Sequence, residues 1–188
     1  ASDPLVDLYG RGVTSSLRGS VFYDTRNNRL FPSSGMFTAL SAEHAAGWLL
    51  SENLFSRFKV KNRLYYDVGF NMVAKLNVEW GMIVSADASG VPIYERFFVG
   101  GPLSVRGFRR NTLGPDLALV AGGLPDAPTT DINIGGTEQA IANLELEYPI
   151  FQKVGIRGVF FLDAGNAFEK EETLGEKVEA IRYSWGFG

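Results

Sequence analysis

Three charged side chains stand where they could do chemistry. Arg106 lies inside a glycine-rich stretch, and Glu145 and Asp163 lie on two neighbouring segments with strand-like alternation. Two carboxylates on adjacent strands could in principle form the acid–base pair of a glycoside hydrolase. Nucleophilic catalysis has less to work with. His44 is the only histidine and sits beside Glu43 at the end of an alternating segment, where it reads as a surface residue; neither a catalytic triad nor a histidine metal cluster can be assembled around it. The chain has no cysteine, which removes thiolate ligands, disulfides and cysteine catalysis together. Its Gly-Gly pairs lack the strand–glycine–helix context of a phosphate loop or dinucleotide fingerprint. Apart from that carboxylate pair, no catalytic residue is therefore expected, and no metal or cofactor. A net charge of −3 gives no electrostatic basis for a nucleic-acid partner.

The elements that must position these residues follow a period of two. From Met72 to Val84, one face carries Met72, Ala74, Leu76, Val78, Trp80, Met82 and Val84, and the other Val73, Lys75, Asn77, Glu79, Gly81 and Ile83. The preceding segment sets Phe58, Val60, Leu64, Tyr66 and Val68 against Arg57, Lys59, Lys61, Arg63, Tyr65 and Asp67, with Asn62 alone breaking the apolar face. Similar alternation over Leu17–Asp24, Met36–Glu43, Ala140–Tyr148, Ile156–Ala164 and Ile181–Phe187 predicts seven antiparallel strands in all. A water-soluble sandwich also alternates. Segments of about ten or more residues favour a membrane barrel: at ~3.4 Å per residue and a ~45° tilt they reach roughly 24 Å, the height of an outer-membrane apolar band. Aromatic residues near strand ends, at Tyr23, Phe31, Tyr66, Phe70, Tyr148 and Phe151, suit an interfacial girdle. No apolar run approaches the roughly 20 residues of a spanning helix, and Ala1–Gly10 lacks a signal-peptide pattern.

Connections alternate in length. Short ones at Asn27–Gly35, Asp67–Asn71 and Pro149–Gly155 interleave with longer ones at Ala45–Ser56, 88–137 and Asn166–Glu179. Short turns on one side and long loops on the other are the barrel arrangement. The longest connection, about 50 residues, is too long for a passive link in a compact domain. Its stretch from Phe97 to Phe108 mixes aromatic anchors with glycines, a composition foreign to solvated linkers.

The run Gly100-Gly101-Pro102-Leu103-Ser104-Val105-Arg106-Gly107-Phe108, followed by Thr112-Leu113-Gly114-Pro115, resembles the inward-folding extracellular loop of the BamA-like outer-membrane assembly family. Three further runs are similar to motifs of that family, in the family's order. They are Tyr23-Asp24-Thr25-Arg26-Asn27 with Phe31-Pro32-Ser33-Ser34-Gly35 in a periplasmic turn, Leu144-Glu145-Leu146-Glu147-Tyr148-Pro149, and Phe161-Leu162-Asp163-Ala164-Gly165-Asn166.

The resemblance implies an all-β, antiparallel transmembrane β-barrel, present here as a partial barrel of about seven strands forming one domain over residues 1–188. The family's periplasmic domains and the strands that meet at the barrel seam are expected to be absent. It also implies that the loop motif Val105, Arg106, Gly107 and Phe108 folds inward, with Arg106 meeting Glu145, Phe161 and Asp163 on the lumen wall. The alternation independently assigns Glu145, Phe161 and Asp163 to the polar face. A guanidinium offers a rigid donor fork to carboxylates and a flat face to an aromatic ring. Each charge contact is worth up to ~4 kcal/mol before desolvation at an effective dielectric of about 20, enough to latch a loop. An arginine facing Glu145 and Asp163 would keep both ionised, against a proton-donor role. The plainer alternatives are a solvated Arg106 and carboxylates that merely wet the lumen. Asp24, Arg26, Phe31, Pro32 and Gly35 read as a braced turn. The function implied is insertion of other barrel proteins into a bacterial outer membrane, non-enzymatically. Its partners would be outer-membrane lipid, unfolded barrel substrates and accessory lipoproteins bound through the periplasmic domains. Alternatives are a related two-partner-secretion or translocation-assembly transporter, and a passive porin or adhesin.

Overall fold

A computed structural model describes residues 12–85, 90–120, 129–151 and 154–188; parts of the N-terminal segment, of the long 88–137 connection and of the Pro149–Gly155 turn lie outside the described residues. Among the described residues the strands are β1 (Ser16–Asp24), β2 (Gly35–Ala45), β3 (Phe55–Gly69), β4 (Met72–Ser85), β5 (Asp116–Val120), β6 (Thr129–Asn133), β7 (Glu138–Phe151), β8 (Ile156–Phe168) and β9 (Arg182–Phe187); an α-helix, α1, covers Leu174–Ala180, and short 3-10 turns lie at Gly47–Leu49 and Ile93–Glu95. Seven of them make one antiparallel sheet in the order β1-β2-β3-β4-β7-β8-β9; β5 and β6 pair separately as a hairpin within the long connection. The sheet is not closed on itself. The seven segments expected from alternation are the seven strands of the main sheet, while the β5–β6 hairpin and α1 lie in stretches expected only as loops.

Register explains how alternation becomes two surfaces. Lys61 faces Glu79, Lys75 faces Glu145, Asn77 faces Asn143 and Asn143 faces Asp163, so the polar positions of successive strands form continuous rows. Ion pairs cross that face: Lys61 with Glu79, and Lys75 and Arg157 with Glu147. The opposite face exposes Val21, Leu40, Phe58, Val60, Val78, Trp80, Leu144, Leu162 and Trp185. An uncovered apolar band on a sheet whose other face is charged fits a barrel wall with hydrocarbon outside and water inside. Asn62, the exception on that band, donates its side-chain amide to Thr38 Oγ1 at 2.7 Å; the two residues are register partners on β3 and β2.

The short-turn end is built by side chains. Between β1 and β2, Asn27 Oδ1 accepts from the amides of Ser33 and Ser34 at 3.0 and 3.2 Å, and Asn28 Oδ1 from those of Leu30 and Phe31 at 2.8 and 3.1 Å. The turn closes at Gly35, whose φ of 97° suits glycine; a Cβ there would lie 2.3 Å from Thr25 O. At the opposite end α1 starts with a capping box, Thr173 accepting from Glu176 N while Glu176 accepts from Thr173 N. Those hydrogen bonds from Thr173 hold the Glu176 carboxyl below its ordinary range.

Candidate functional site

The long connection turns back against the polar face of β7, β8 and β9. Its descent is set by buried apolar residues: Val99, Val105 and Leu113 pack with Ile141 of β7 and Ala167 of β8, and Phe108 packs against the group. The two limbs are tied by a backbone bridge between Val99 and Leu113. Glycines admit the close approach. A Cβ on Gly165 of β8 would fall 2.6 Å from Ala140 O and 3.1 Å from Val105, and Gly107, at φ 86°, passes beside Ser184 of β9.

This packing delivers Arg106 to the wall at mid-height of β7 and β8. Its Nε donates to Asp163 Oδ2 and its Nη2 to Asp163 Oδ1, both at 2.7 Å, while its own backbone N–H adds a third bond to Asp163 Oδ2 at 2.9 Å. Nη1 donates to Glu145 Oε1 at 2.6 Å. The guanidinium carbon sits 3.8 Å from the centre of the Phe161 ring. One side chain is thus held by a bidentate carboxylate, a second carboxylate and an aromatic face. The bonds to Asp163 push the Arg106 guanidinium further above its ordinary range, against the opposing effect of burial, so it stays cationic. Asp163 is only 2% exposed. A carboxylate so buried is tolerable because three donors surround it. Glu145 and Asp163 share the cation between them, an arrangement that binds the loop to the wall.

The structure therefore brings Arg106, Glu145, Phe161 and Asp163 together, with Val105 in the apolar seat beneath and Gly107 and Phe108 flanking. Asp24, Arg26, Phe31, Pro32 and Gly35 stay in the short turn. There Arg26 Nε and Nη2 donate to the Asp24 carboxylate at 2.8 Å each, and the guanidinium lies 4.9 Å from the Phe37 ring centre. Phe31 is exposed. His44, on the outer face, pairs through Nδ1 with Ser56 Oγ at 2.9 Å. Sequence reasoning missed two supports. Asn143 donates to the Ser104 carbonyl at 2.6 Å, pinning the loop one step before Val105. Gly186 faces Phe161 across β8–β9 and leaves room for its ring. Both depend on register between strands, which a single sequence does not display.

No group of three or more His, Cys, Asp or Glu residues that could hold a metal ion occurs among the described residues. The geometry is that of a latched loop on a barrel wall, and comparisons agree with the wall. The chain is 28% identical over 192 residues to the sorting and assembly machinery component 50 homolog of Bos taurus, an alignment spanning 95% of this chain and 38% of that protein. It is 24% identical over 156 residues to the outer membrane protein assembly factor BamA of Nitratidesulfovibrio vulgaris, spanning 83% of this chain and 18% of that protein. The crystal structure of BamA from Haemophilus ducreyi lacking POTRA domains 1–3 superposes with a TM-score of 0.78 at 22% identity, over 92% of this chain and 35% of that one. That likeness shows the fold of a transmembrane β-barrel, of which this chain supplies one arc. The chain spans less than half the length of the relatives it matches. The Omp85 superfamily domain matches residues 5–188, nearly the whole chain, and the protein belongs to that superfamily.

Proposed function

We propose that this chain is the loop-bearing arc of an outer-membrane insertase, a protein that folds other β-barrel proteins into the membrane by non-enzymatic means. The observation that carries the reading is the grip on Arg106: Asp163, Glu145 and the Phe161 ring hold a loop tip against the polar face of the wall. Support comes from the assembly factors named above, whose names describe sorting and assembly of proteins, and from the four motifs in family order. The substrates under this reading are unfolded outer-membrane proteins, the surrounding medium is outer-membrane lipid, and accessory lipoproteins would bind through periplasmic domains. Relatives come from animals as well as a bacterium. The bacterial outer membrane is the proposed location on the strength of the motif resemblance.

The test is insertion into lipid vesicles by the full-length parent protein. Arg106→Ala should slow the appearance of folded substrate barrels about tenfold, the consequence of losing roughly 1.4 kcal/mol of differential stabilisation, while strand content stays intact. Unchanged insertion by a variant whose loop has demonstrably come loose would refute the reading. Raised single-channel conductance with no insertion by the unaltered protein would favour a passive pore.

A further inference from the structure

Among the described residues, the long loop is fastened to the wall at two places, through contacts that share no residue. The first fastening is at its root, where the loop leaves β4. Arg57 of β3, an 8% exposed residue, donates from Nη1 to Glu43 of β2 at 2.9 Å and from Nη2 to Glu95 of the loop at 2.6 Å. Its guanidinium lies 5.0 Å from the Phe55 ring centre. The neighbouring Arg96 pairs with Glu169 beyond the end of β8 and donates to Val91 O at 3.0 Å. Phe97 is buried with Ala45, Phe55, Ile83 and Val91, and exchanges backbone hydrogen bonds of 2.8 and 2.9 Å with Gly136. A notch receives its ring: a Cβ on Gly81 of β4 would lie 2.7 Å from it.

The second fastening is the Arg106 tip, with its own buried group around Val105. Gly100 and Gly101, at φ 109° and 99° in the region that only glycine enters readily, belong to the tip, their amides bonding to Ser104 Oγ and Val105 O. The Val99–Leu113 bridge closes the neck there. Two apolar groups with no common member and two arginine-centred ion networks describe two units, and the boundary between them falls at Phe98, after Phe97 of the root group and before Val99 of the tip group. A buried charge network held on one side by the wall opens only as a unit, because removing one partner strands the others.

We propose that Arg57 is a positioning latch for this loop: anchored by Glu43, it holds Glu95 and hence the root, so the tip can leave Asp163 and return without the loop losing its place on the wall. The proposal rests on the reading of the loop tip as the working element, but its test does not depend on insertion activity.

Amide hydrogen exchange on the full-length parent protein in lipid separates the two units. Root protection is read at Glu95, Arg96 and Phe97, whose amides bond to Pro92, Ile93 and Gly136; tip protection is read at Gly101, Ser104 and Arg106. Arg106→Ala should speed tip exchange about tenfold and leave the root within about twofold. Glu95→Gln should do the reverse, and the double variant should show both effects added together. Arg57→Lys should loosen the root as Arg57→Ala does, because a single ammonium nitrogen lacks the rigid fork whose two Nη groups serve Glu43 and Glu95 separately; full rescue by lysine would reduce Arg57 to a simple charge and overturn the positioning role. Should Arg57→Ala fail to fold, Glu95→Gln keeps the Arg57–Glu43 pair and still reports the root. Joint loosening of both segments by either single variant, or no change at the root in Glu95→Gln, overturns the proposal. Segmental exchange with unimpaired insertion in Arg106→Ala would instead sink the functional reading and leave the two latches standing.

Discussion

Phe161 on β8 lies directly opposite Gly186 on β9, and the missing side chain of that glycine is the space the ring occupies: a Cβ at position 186 would fall 2.7 Å from the Phe161 Cζ. Arg106 stacks on the ring so placed. The stacking surface is therefore made by two strands, one giving the ring and the other giving way to it.

Gly186→Ala should displace the ring and weaken the hold on Arg106 without unpairing β9, since the backbone at 186 is outside the left-handed region. The loss expected is about 0.5–2 kcal/mol, the worth of a cation–π contact. The reporter is a thiol at the exposed tip, Leu103→Cys, labelled with a membrane-impermeant maleimide. Labelling should quicken in the Gly186→Ala background and reach the rate seen with Phe161→Ala.

The two carboxylates under Arg106 should not be equivalent. Asp163 is buried and takes three bonds, whereas Glu145 takes one and is partly exposed. Asp163→Asn should cost about 3–5 kcal/mol, the usual loss on breaking a buried pair. Glu145→Gln should cost at most about 1 kcal/mol. Urea unfolding of the parent protein in lipid vesicles reads both, and equal midpoints for the two variants would contradict the geometry.

Glycines at the short-turn end separate strain from collision. Gly35 and Gly69 both have left-handed backbones, at φ 97° and 86°, but only at Gly35 would a Cβ strike backbone, 2.3 Å from Thr25 O; at Gly69 nothing lies within 4 Å. Gly69→Ala should cost about 1–2 kcal/mol from the backbone alone. Gly35→Ala should cost clearly more and slow assembly of the β1–β2 hairpin, as followed by the heat-resistant gel mobility of the folded barrel.

The capping box of α1 makes a pH-dependent prediction. Glu176 has its pKa lowered by the bonds from Thr173, so the stabilisation it gives is present above the ordinary glutamate pKa of 4.5 and fades as pH falls through the folded value. Amide exchange across Leu174–Ala180, corrected for its intrinsic pH dependence, should therefore accelerate in acid. Thr173→Ala should raise exchange at neutral pH and remove most of the acid effect.

What the sequence displayed was face and order. Lys61, Glu79, Lys75 and Glu145 could be assigned to a polar side by period alone, because side chains alternate regardless of what the strand pairs with. Arg106, Glu145, Phe161 and Asp163 could be grouped only through motif resemblance, since nothing in the spacing of residues 106 and 163 says that they touch. The root network was illegible for the same reason. Arg57 and Glu43 were visible as members of a charged face, but their meeting with Glu95 depends on the register of β2 on β3 and on a loop path. The helix α1 was missed for a different cause: Thr173 and Glu176 carry a readable start signal, yet the seven residues that follow are too few to show a helical period. The β5–β6 hairpin, with five residues in each strand, is too short to stand out from its surroundings.

The bond between Asn62 and Thr38 has a bearing on how the wall is built. Sliding β2 by two residues along β3 keeps every apolar side chain on the hydrocarbon side, so sidedness alone does not forbid the error. It would, however, set Asn62 opposite Met36 or Leu40 and strip its amide of an acceptor in a medium that offers no water, at several kcal/mol. A polar couple in a greasy surface thus helps to tell the correct alignment from its nearest impostor while the sheet is still zipping up.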